Sequence, residues 1–383
     1  MRFLHLSDTH LGYNQYGLFE RGKDFFDAFN EAVEIAIERD VDFVIHTGDF
    51  FHSSRPSNRV IVEAINILSR LKDRNIPFFT ISGNHDRGSN VKDISPLNIL
   101  QTSGLTVVDQ RVVEHEGVFI SGIKYVSKAG LRHLGGLKES INRLLDQTGN
   151  GFKILMLHQE FYPFFPESEL YLSEEIPEGF DYVGIGHYHI AQEPTEINKA
   201  VIVQSGSTEF TAYHESEEKK EKGVYLVEVD REIKAEFIKL RSLRPFISVR
   251  LDEDSLDDLI RDLKEKVEKI ASSSDKNAVV IFKGILRKSG VKDILKILED
   301  YGLKAGSDQI LHFNFNITRE IQLQDESFIL ENEEKLISEE LKKIIGDKDL
   351  YSSVKEVIDH LRSFESIDDA KKYLKENPDL LEL

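Results

Sequence analysis

The 383-residue chain carries 49 Lys and Arg against 68 Asp and Glu, a formal net charge of −19, with 40% hydrophobic residues. That length suits two or three domains of roughly 150 residues each, with an ordinary core. Zero Cys excludes disulfides and thiolate metal sites, and the acidity argues against nucleic acid, whose phosphates select a basic footprint.

In chain order, residues 2–8 read as a buried strand running into Asp8, with His10 just beyond. The strand at 41–49 ends at Asp49, and 77–86 carries Asn84 and His85. Residues 152–159 end near His158, and 182–189 end in His187 and His189. Between the first three strands lie two helical patterns. Residues 23–39 place Phe25, Phe29, Ala32, Val33 and Ala36 at helical spacing, and 58–74 follow the start signal Pro56-Ser57. The order β-α-β-α-β predicts parallel strands with right-handed crossovers. Strands at 200–204, 223–230 and 235–240 follow with less helix between them, which fits a mixed sheet or two packed sheets.

Pro245 opens a different unit. Strands are predicted over 246–251, 278–286 and 310–317, and helices over 255–271 and 291–301, a small α+β arrangement. Beyond residue 331 three short amphipathic helices are expected, at 336–345, 351–361 and 367–374. Such helices cap their own domain or fill a partner's groove. Residues 321–383 hold 9 Lys and Arg against 17 Asp and Glu, so much of the acidity sits in a tail that need not touch a substrate.

Ligands of open α/β sheets bind at the carboxyl ends of strands. One fold therefore places Asp8, His10, Asp49, Asn84, His158, His187 and His189 around one crevice. That set is too large for one ion and suits two ions sharing a carboxylate. Asp8 and His10, like His187 and His189, are spaced to point the same way on extended backbone. Gly48 lets backbone approach closely. Imidazole with oxygen donors suits Mn²⁺, Fe or Zn better than Ca²⁺. Two such ions can clamp a phosphoryl group and activate water, and they supply positive charge where a phosphate sits.

The ordered set D-x-H, G-D, G-N-H-D, a lone H and G-H-x-H resembles the calcineurin-like metallophosphoesterase superfamily over residues 1–240. Within it, HLSDTHLGY (5–13), GDFFHSSRPS (48–57) and GNHDR (83–87) resemble the archaeal form of the meiotic recombination 11 family, the nuclease subunit of a DNA double-strand-break repair complex. The resemblance implies an α/β (α+β) fold, a two-layer β-sandwich flanked by helices. It places a metallophosphoesterase domain at 1–243, an α+β capping domain at 244–320, and at 321–383 a linker and helical segment that binds a partner ATPase. It implies two Mn²⁺ per subunit. Asp8, His10 and His189 hold one ion, Asn84, His158 and His187 the other, and Asp49 bridges them. His85 is then the general acid and His52 orients the scissile phosphate. The implied activity is 3′–5′ exonuclease and single-strand endonuclease action on DNA, with a coiled-coil SMC-like ABC ATPase as partner. The chain has no Walker loop, so nucleotide control falls to that partner.

Other readings complete the set. His5 and His46 sit inside strand patterns and are expected to be packed or to support the ligands from behind. Arg55, Arg59, Arg87 and Lys92 either contact phosphate backbone or are solvated surface charge. The helix at 58–74 carries two apolar stripes, Val60-Ala64-Ile67-Leu71 and Ile61-Ile65-Leu68. The second is expected to contribute to a homodimer together with residues 96–100; the alternative is a deeply buried helix. Asp8 stands where a signal peptide needs an apolar stretch, and no run approaches the ~20 apolar residues of a membrane helix, so a cytoplasmic, nucleoid-associated protein is expected. The alternatives are a phosphatase or cyclic-nucleotide phosphodiesterase on the same scaffold, or a catalytically silent repair scaffold.

Overall fold

The computed structural model describes residues 1–87, 94–133, 136–212, 221–252, 255–286 and 290–319. The helices expected after residue 331 lie outside the described residues, as does Lys92. In chain order the elements begin with β1 (Arg2–Leu6), α1 (Phe19–Glu38), β2 (Phe43–His46), α2 (Asn58–Lys72), β3 (Phe78–Thr80) and β4 (Leu105–Val107). Next come β5 (Arg111–His115), β6 (Val118–Ile123), α3 (Lys128–His133), α4 (Leu137–Leu145), β7 (Phe152–His158), α5 (Leu172–Glu175) and β8 (Tyr182–Gly186). Then follow β9 (Thr195–Ile197), β10 (Ala200–Gln204), β11 (Gly223–Val229), β12 (Ile233–Lys239) and β13 (Phe246–Leu251). The last are α6 (Leu256–Ala271), β14 (Ala278–Leu286), α7 (Val291–Asp300) and β15 (Ile310–Arg319).

Two six-stranded mixed sheets, ordered β12-β11-β1-β2-β3-β4 and β5-β6-β7-β8-β10-β9, form the first architecture. Strands β1 to β4 run parallel, as the β-α-β-α-β order predicts, and so do β6, β7, β8 and β10. Alternation along each strand explains the layers. Phe3, Phe43 and Ile45 meet Ile154, Met156 and Tyr182 in a shared interior, so the two sheets stack face to face. The intervening residues Leu4, Leu6 and Val44 face α1 and α2, while Leu155, Leu157, Val183 and Ile185 face Ile141 and Leu144 of α4. The result is a two-layer sandwich with helices on both outer faces.

Helix α2 starts as its sequence predicts, with the Ser57 hydroxyl accepting from Val60 N–H. Its two apolar stripes share one fate. Ala64, Ile67, Leu68 and Leu71 are buried, and Val60, Ile61 and Ile65 are partly buried against the same core. The helix is covered by α1 on one side and the 3-10 turn Pro96–Ser103 on the other, so neither stripe stands free. Within α2 and this turn, Val62 and Ile99 are exposed apolar side chains, at 54% and 49%.

By compactness the chain divides into two units. One comprises 1–248, 266–280 and 305–312; the other comprises 249–265, 281–304 and, among described residues, 313–319. Residues 246–319 supply a three-stranded sheet ordered β13-β14-β15. Ile260, Leu263 and Val267 of α6 and Ile294 and Leu298 of α7 are buried, along the stripes the spacing predicts. Among the described residues no helix is long and apolar enough to cross a membrane.

Candidate metal centre

The parallel strands deliver their chemistry at their carboxyl ends. Asp8 and His10 follow β1, Asp49 follows β2, Asn84 and His85 follow β3, His158 is the last residue of β7, and His187 and His189 follow β8. At each exit the chain turns sharply. Asp8, His10, Asp49 and His187 all have positive φ, at 50°, 43°, 56° and 85°. Non-glycine residues rarely occupy that region, and where they do the surroundings impose it. Here a ladder between the β1 and β2 exits does so, through Asp8 N–H to Gly48 O at 3.0 Å and His10 N–H to Asp49 O at 3.0 Å.

Two glycines make room. Gly48 has φ +98°, and a Cβ there would lie 2.4 Å from His158 Nδ1. A Cβ on Gly83 would lie 2.0 Å from Asp49 Oδ1. Both are therefore demanded by close approach, as the sequence reading expected for Gly48.

The donor atoms converge. Asp8, His10, Asp49 and His189 each bring one within 4.8 Å of the others, and so do Asp49, His158 and His187. Asp49 belongs to both groups. His10 Nε2 and His189 Nε2 are 3.1 Å apart, and His189 Nε2 is 3.6 Å from Asp8 Oδ1. His158 Nε2 lies 3.3 Å from Asp49 Oδ2 and 3.2 Å from Asn84 Oδ1. The structure thus brings together all seven residues picked out as ligands. Beside them, His10, His52 and His85 form a third cluster. Nδ1–H of His85 donates to the His52 carbonyl at 2.8 Å. The His52 ring stacks between Tyr13, with centroids 3.8 Å apart, and His85, at 5.2 Å.

Electrostatics sets each group's protonation. Burial alone would raise the Asp8 carboxyl, but the hydrogen bond to His189 and the charge of His158 hold it well below the usual carboxylate range. Asp49 is depressed likewise, with His158 overcoming burial. Burial pushes His10 well below its usual value, and burial followed by His158 takes His187 down to about 4. His158 goes the other way. Burial opposes its charge, yet Asp49 and Asp8 raise it to about 9. Two buried carboxylates with imidazole nitrogens at 3 to 4 Å bring oxygen and nitrogen donors to common points. A pair of dications fits that donor set, and would stand in for the proton on His158.

Several residues at the site escaped the sequence reading. Asp86 is buried and accepts N–H bonds from Phe50, Phe51 and Gly83 at 2.9 to 3.0 Å. Burial first and the Asp49 charge second push it up to about 7. It knits the β2 exit to the β3 exit. Glu160 Oε1 lies 3.3 Å from His187 Nε2, and Tyr125 packs beside His187 with Arg87 over its other face. The last residue of the G-N-H-D motif was a visible signal for Asp86; nothing in the sequence marks Glu160 or Tyr125. His5 and His46 are packed residues as expected. His5 bonds Tyr182 Oη and Thr47 Oγ1, and His46 bonds Thr9 and Thr80 hydroxyls, so both rings are satisfied away from the donor clusters. Arg59 lies over the Phe19 ring, and Arg55 is exposed.

Comparison with known proteins bears on the same region. Residues 1–191 match the calcineurin-like phosphoesterase family model. A DNA double-strand break repair protein Mre11 of Sulfolobus acidocaldarius is 32% identical over 358 residues, covering 91% of this chain and 90% of that protein. The chain belongs to the Mre11 family. The Mre11 of Thermoplasma acidophilum is 36% identical over 281 residues, covering 70% of this chain and 72% of that protein. The family and the dimetal architecture of calcineurin-like phosphoesterases are those the motifs resembled, and the His and Asp clusters stand where such a centre belongs.

Proposed function

We propose that this chain is a nuclease of DNA double-strand-break repair that hydrolyses phosphodiester bonds at the crevice formed by its strand ends. The observation that carries the reading is the convergence of seven potential ligands from five strand exits, with Asp49 common to both groups and His85 and His52 adjacent. In this reading Asp8, His10 and His189 would hold one Mn²⁺ and Asn84, His158 and His187 the other, with Asp49 available to both. When bound, such a pair supplies Lewis acidity toward a phosphoryl group and lowers the pKa of water. The chain's own part follows from its hydrogen bonds. Because His85 Nδ1–H is committed to the His52 carbonyl, it is the doubly protonated ring that acts, giving its Nε2 proton to the leaving sugar oxygen and keeping the Nδ1 proton. The Tyr13 and His85 rings fix His52 between them, which orients it toward a phosphate oxygen.

The reading extends to 3′–5′ exonuclease and single-strand endonuclease action at the nucleoid. Residues 1–243 form the nuclease domain and 244–320 the cap, and the helical segment in 321–383 docks on a coiled-coil ABC ATPase. Val62 and Ile99 are the exposed apolar residues offered to a homodimer. The test is His85→Ser. It is expected to bind both Mn²⁺ by calorimetry and to lose 10²–10⁴ in oligonucleotide cleavage, the usual worth of a positioned acid. Near-wild-type cleavage removes His85 from the chemistry. Turnover of a small phosphodiester far above that of single-stranded oligonucleotide replaces the nuclease with a phosphodiesterase.

A further inference from the structure

One ligand of the proposed centre is held by groups that the chemistry above does not use. His189 is the most exposed of the side chains around Asp8, at 26%, and it follows β8 in a loop. An exposed imidazole on a loop is free to rotate unless something fixes it. Here its Nδ1 lies 2.5 Å from Thr211 Oγ1. With Nε2 serving as the ligand nitrogen, the proton would sit on Nδ1 and be donated to that hydroxyl. The bond fixes tautomer and ring plane together.

Thr211 is itself anchored by a buried polar chain. Its carbonyl accepts from Gln15 Nε2 at 2.9 Å, and Gln15 Oε1 accepts from Arg21 Nε at 2.9 Å. Arg21 is fully buried and donates onward to Asp24 at 2.6 Å, and to Glu209 and the Phe210 carbonyl at 3.3 and 3.1 Å. Asp24 in turn accepts from Arg244 at 2.6 Å and pairs with Lys276 at 2.8 Å. The backbone of His189 is pinned separately. Its carbonyl accepts from Lys222 Nζ at 2.7 Å and from Ser207 N–H at 3.1 Å. Lys222 is 1% exposed, and a buried lysine is retained only where its donors are used. Arg21 of α1 and Gln15 just before it thus support the residue bonded to the His189 ring, and Lys222, just before β11, holds the His189 carbonyl, each of the three being nearly inaccessible.

We propose that Thr211 is a positioning residue for the ion held by Asp8, His10 and His189, with Gln15 and Arg21 fixing Thr211 and Lys222 fixing the His189 backbone. The consequence is site-selective. The Asn84, His158 and His187 group makes no use of this chain, because His158 is oriented instead by its Nδ1 bond to the Thr47 carbonyl at 2.6 Å. Loss of Thr211 weakens one ion of the pair and spares the other. Removing such an outer hydrogen bond costs about 10–100-fold in metal affinity.

This rests on the assignment of His189 as a ligand, and the experiment separates the two. Mn²⁺ is titrated by calorimetry and by electron paramagnetic resonance into the full chain and its variants, without DNA. Wild type is expected to show two binding events. Thr211→Val, which keeps shape and removes the hydroxyl, is expected to weaken one event about 10–100-fold and leave the other unchanged, and Thr211→Ser to restore it. Gln15→Glu keeps an acceptor for Arg21 and removes the donor to Thr211, and is expected to weaken the same event. It serves as the second reading should Thr211→Val fail to fold, which a melt in chelator reports. His189→Gln is the control. If His189→Gln loses one event while Thr211→Val and Gln15→Glu both match wild type, the positioning role is overturned and the ligand assignment stands. If His189→Gln binds both ions as wild type does, the ligand assignment itself falls. Equal weakening of both events by Thr211→Val also overturns the proposal, since it marks a general loosening of the site.

Discussion

Asp49 occupies a position no other residue at the site shares. It belongs to both donor clusters, its Oδ1 accepts from His85 N–H at 2.9 Å, and its peptide carbonyl holds His10 N–H. Asp49→Asn halves its capacity as an acceptor and replaces one oxygen by a donor that faces imidazole nitrogens. It is expected to weaken both Mn²⁺ binding events, whereas Asn84→Ala is expected to weaken one. Calorimetric titration distinguishes these, and a single weakened event in Asp49→Asn refutes its shared role. At this scale the sequence was informative about ligands and silent about their supports. Asp8, His10, Asp49, Asn84, His158, His187 and His189 stand at strand ends, and strand ends are visible as apolar runs closed by Gly, Asp or Asn. Thr211, Gln15 and Lys222 reach His189 only because folding brings residues 15, 189, 211 and 222 together, and no local pattern encodes such proximity. Asp86 lay in plain view beside His85, but the use of its carboxylate depends on three N–H groups from the β2 and β3 exits.

Elements differ in how far their sequences betray them. Strands β1, β2, β7 and β8 are buried on both faces and read as continuous apolar runs. The stretch from β4 to α4 went unread. Strand β5 is a sheet edge with Arg111 and Glu114 exposed, and its pattern is diluted by polar residues; β4 is three residues long. Yet β6 beside β5 begins the parallel run that carries β7 and β8, so the second sheet rests on the part least legible. Helix α2 packs both of its apolar stripes against one core, with Val60, Ile61 and Ile65 only partly buried beside the exposed Val62. Val62→Asp, outside either stripe, is therefore expected to leave the melting temperature within a few degrees of wild type and to lower the sedimentation coefficient if the homodimer forms there. An unchanged dimer places the interface elsewhere. The exits impose a harsher limit. Gly48→Ala adds a Cβ 2.4 Å from His158 Nδ1 at positive φ. The left-handed backbone costs about 1–2 kcal/mol, and the forced contact about 1–3 kcal/mol more. A chemical denaturation midpoint equal to wild type contradicts that account.

Across the molecule, the histidines make the fold acid-sensitive. His5 and His46 are neutral in the native state, with burial the first cause of pKa values lowered to about 3. In the unfolded chain each takes up a proton near its ordinary value of 6.5. Protonation therefore favours the unfolded state, so their contribution is intact above pH 6.5 and declines as pH falls toward 3. At pH 5.5 the loss is about 1.4 kcal/mol for each. Urea titrations in chelator at pH 7.5 and 5.5 are expected to show a clear drop in midpoint, and equal midpoints dismiss the linkage. His158 acts in the opposite sense. Raised to about 9, it stabilises the metal-free protein below pH 6.5 and loses that contribution as pH climbs through 9. The net charge of −19 looked at first like an obstacle to a DNA substrate. Its weight falls partly on residues 321–383, and the crevice itself presents carboxylates already matched to cations.

Each proposed ion draws on both sheets. Asp8 and His10 from the first sheet meet His189 from the second, and Asn84 from the first meets His158 and His187 from the second. A cation bound there rivets the halves of the sandwich to one another, so occupancy and unfolding become the same equilibrium seen from two sides. The melting temperature is then a titration curve for metal, because each decade of Mn²⁺ above the dissociation constant adds about 1.4 kcal/mol of stability for each ion bound. That gauge works on variants that have lost all catalysis, which an activity assay cannot follow.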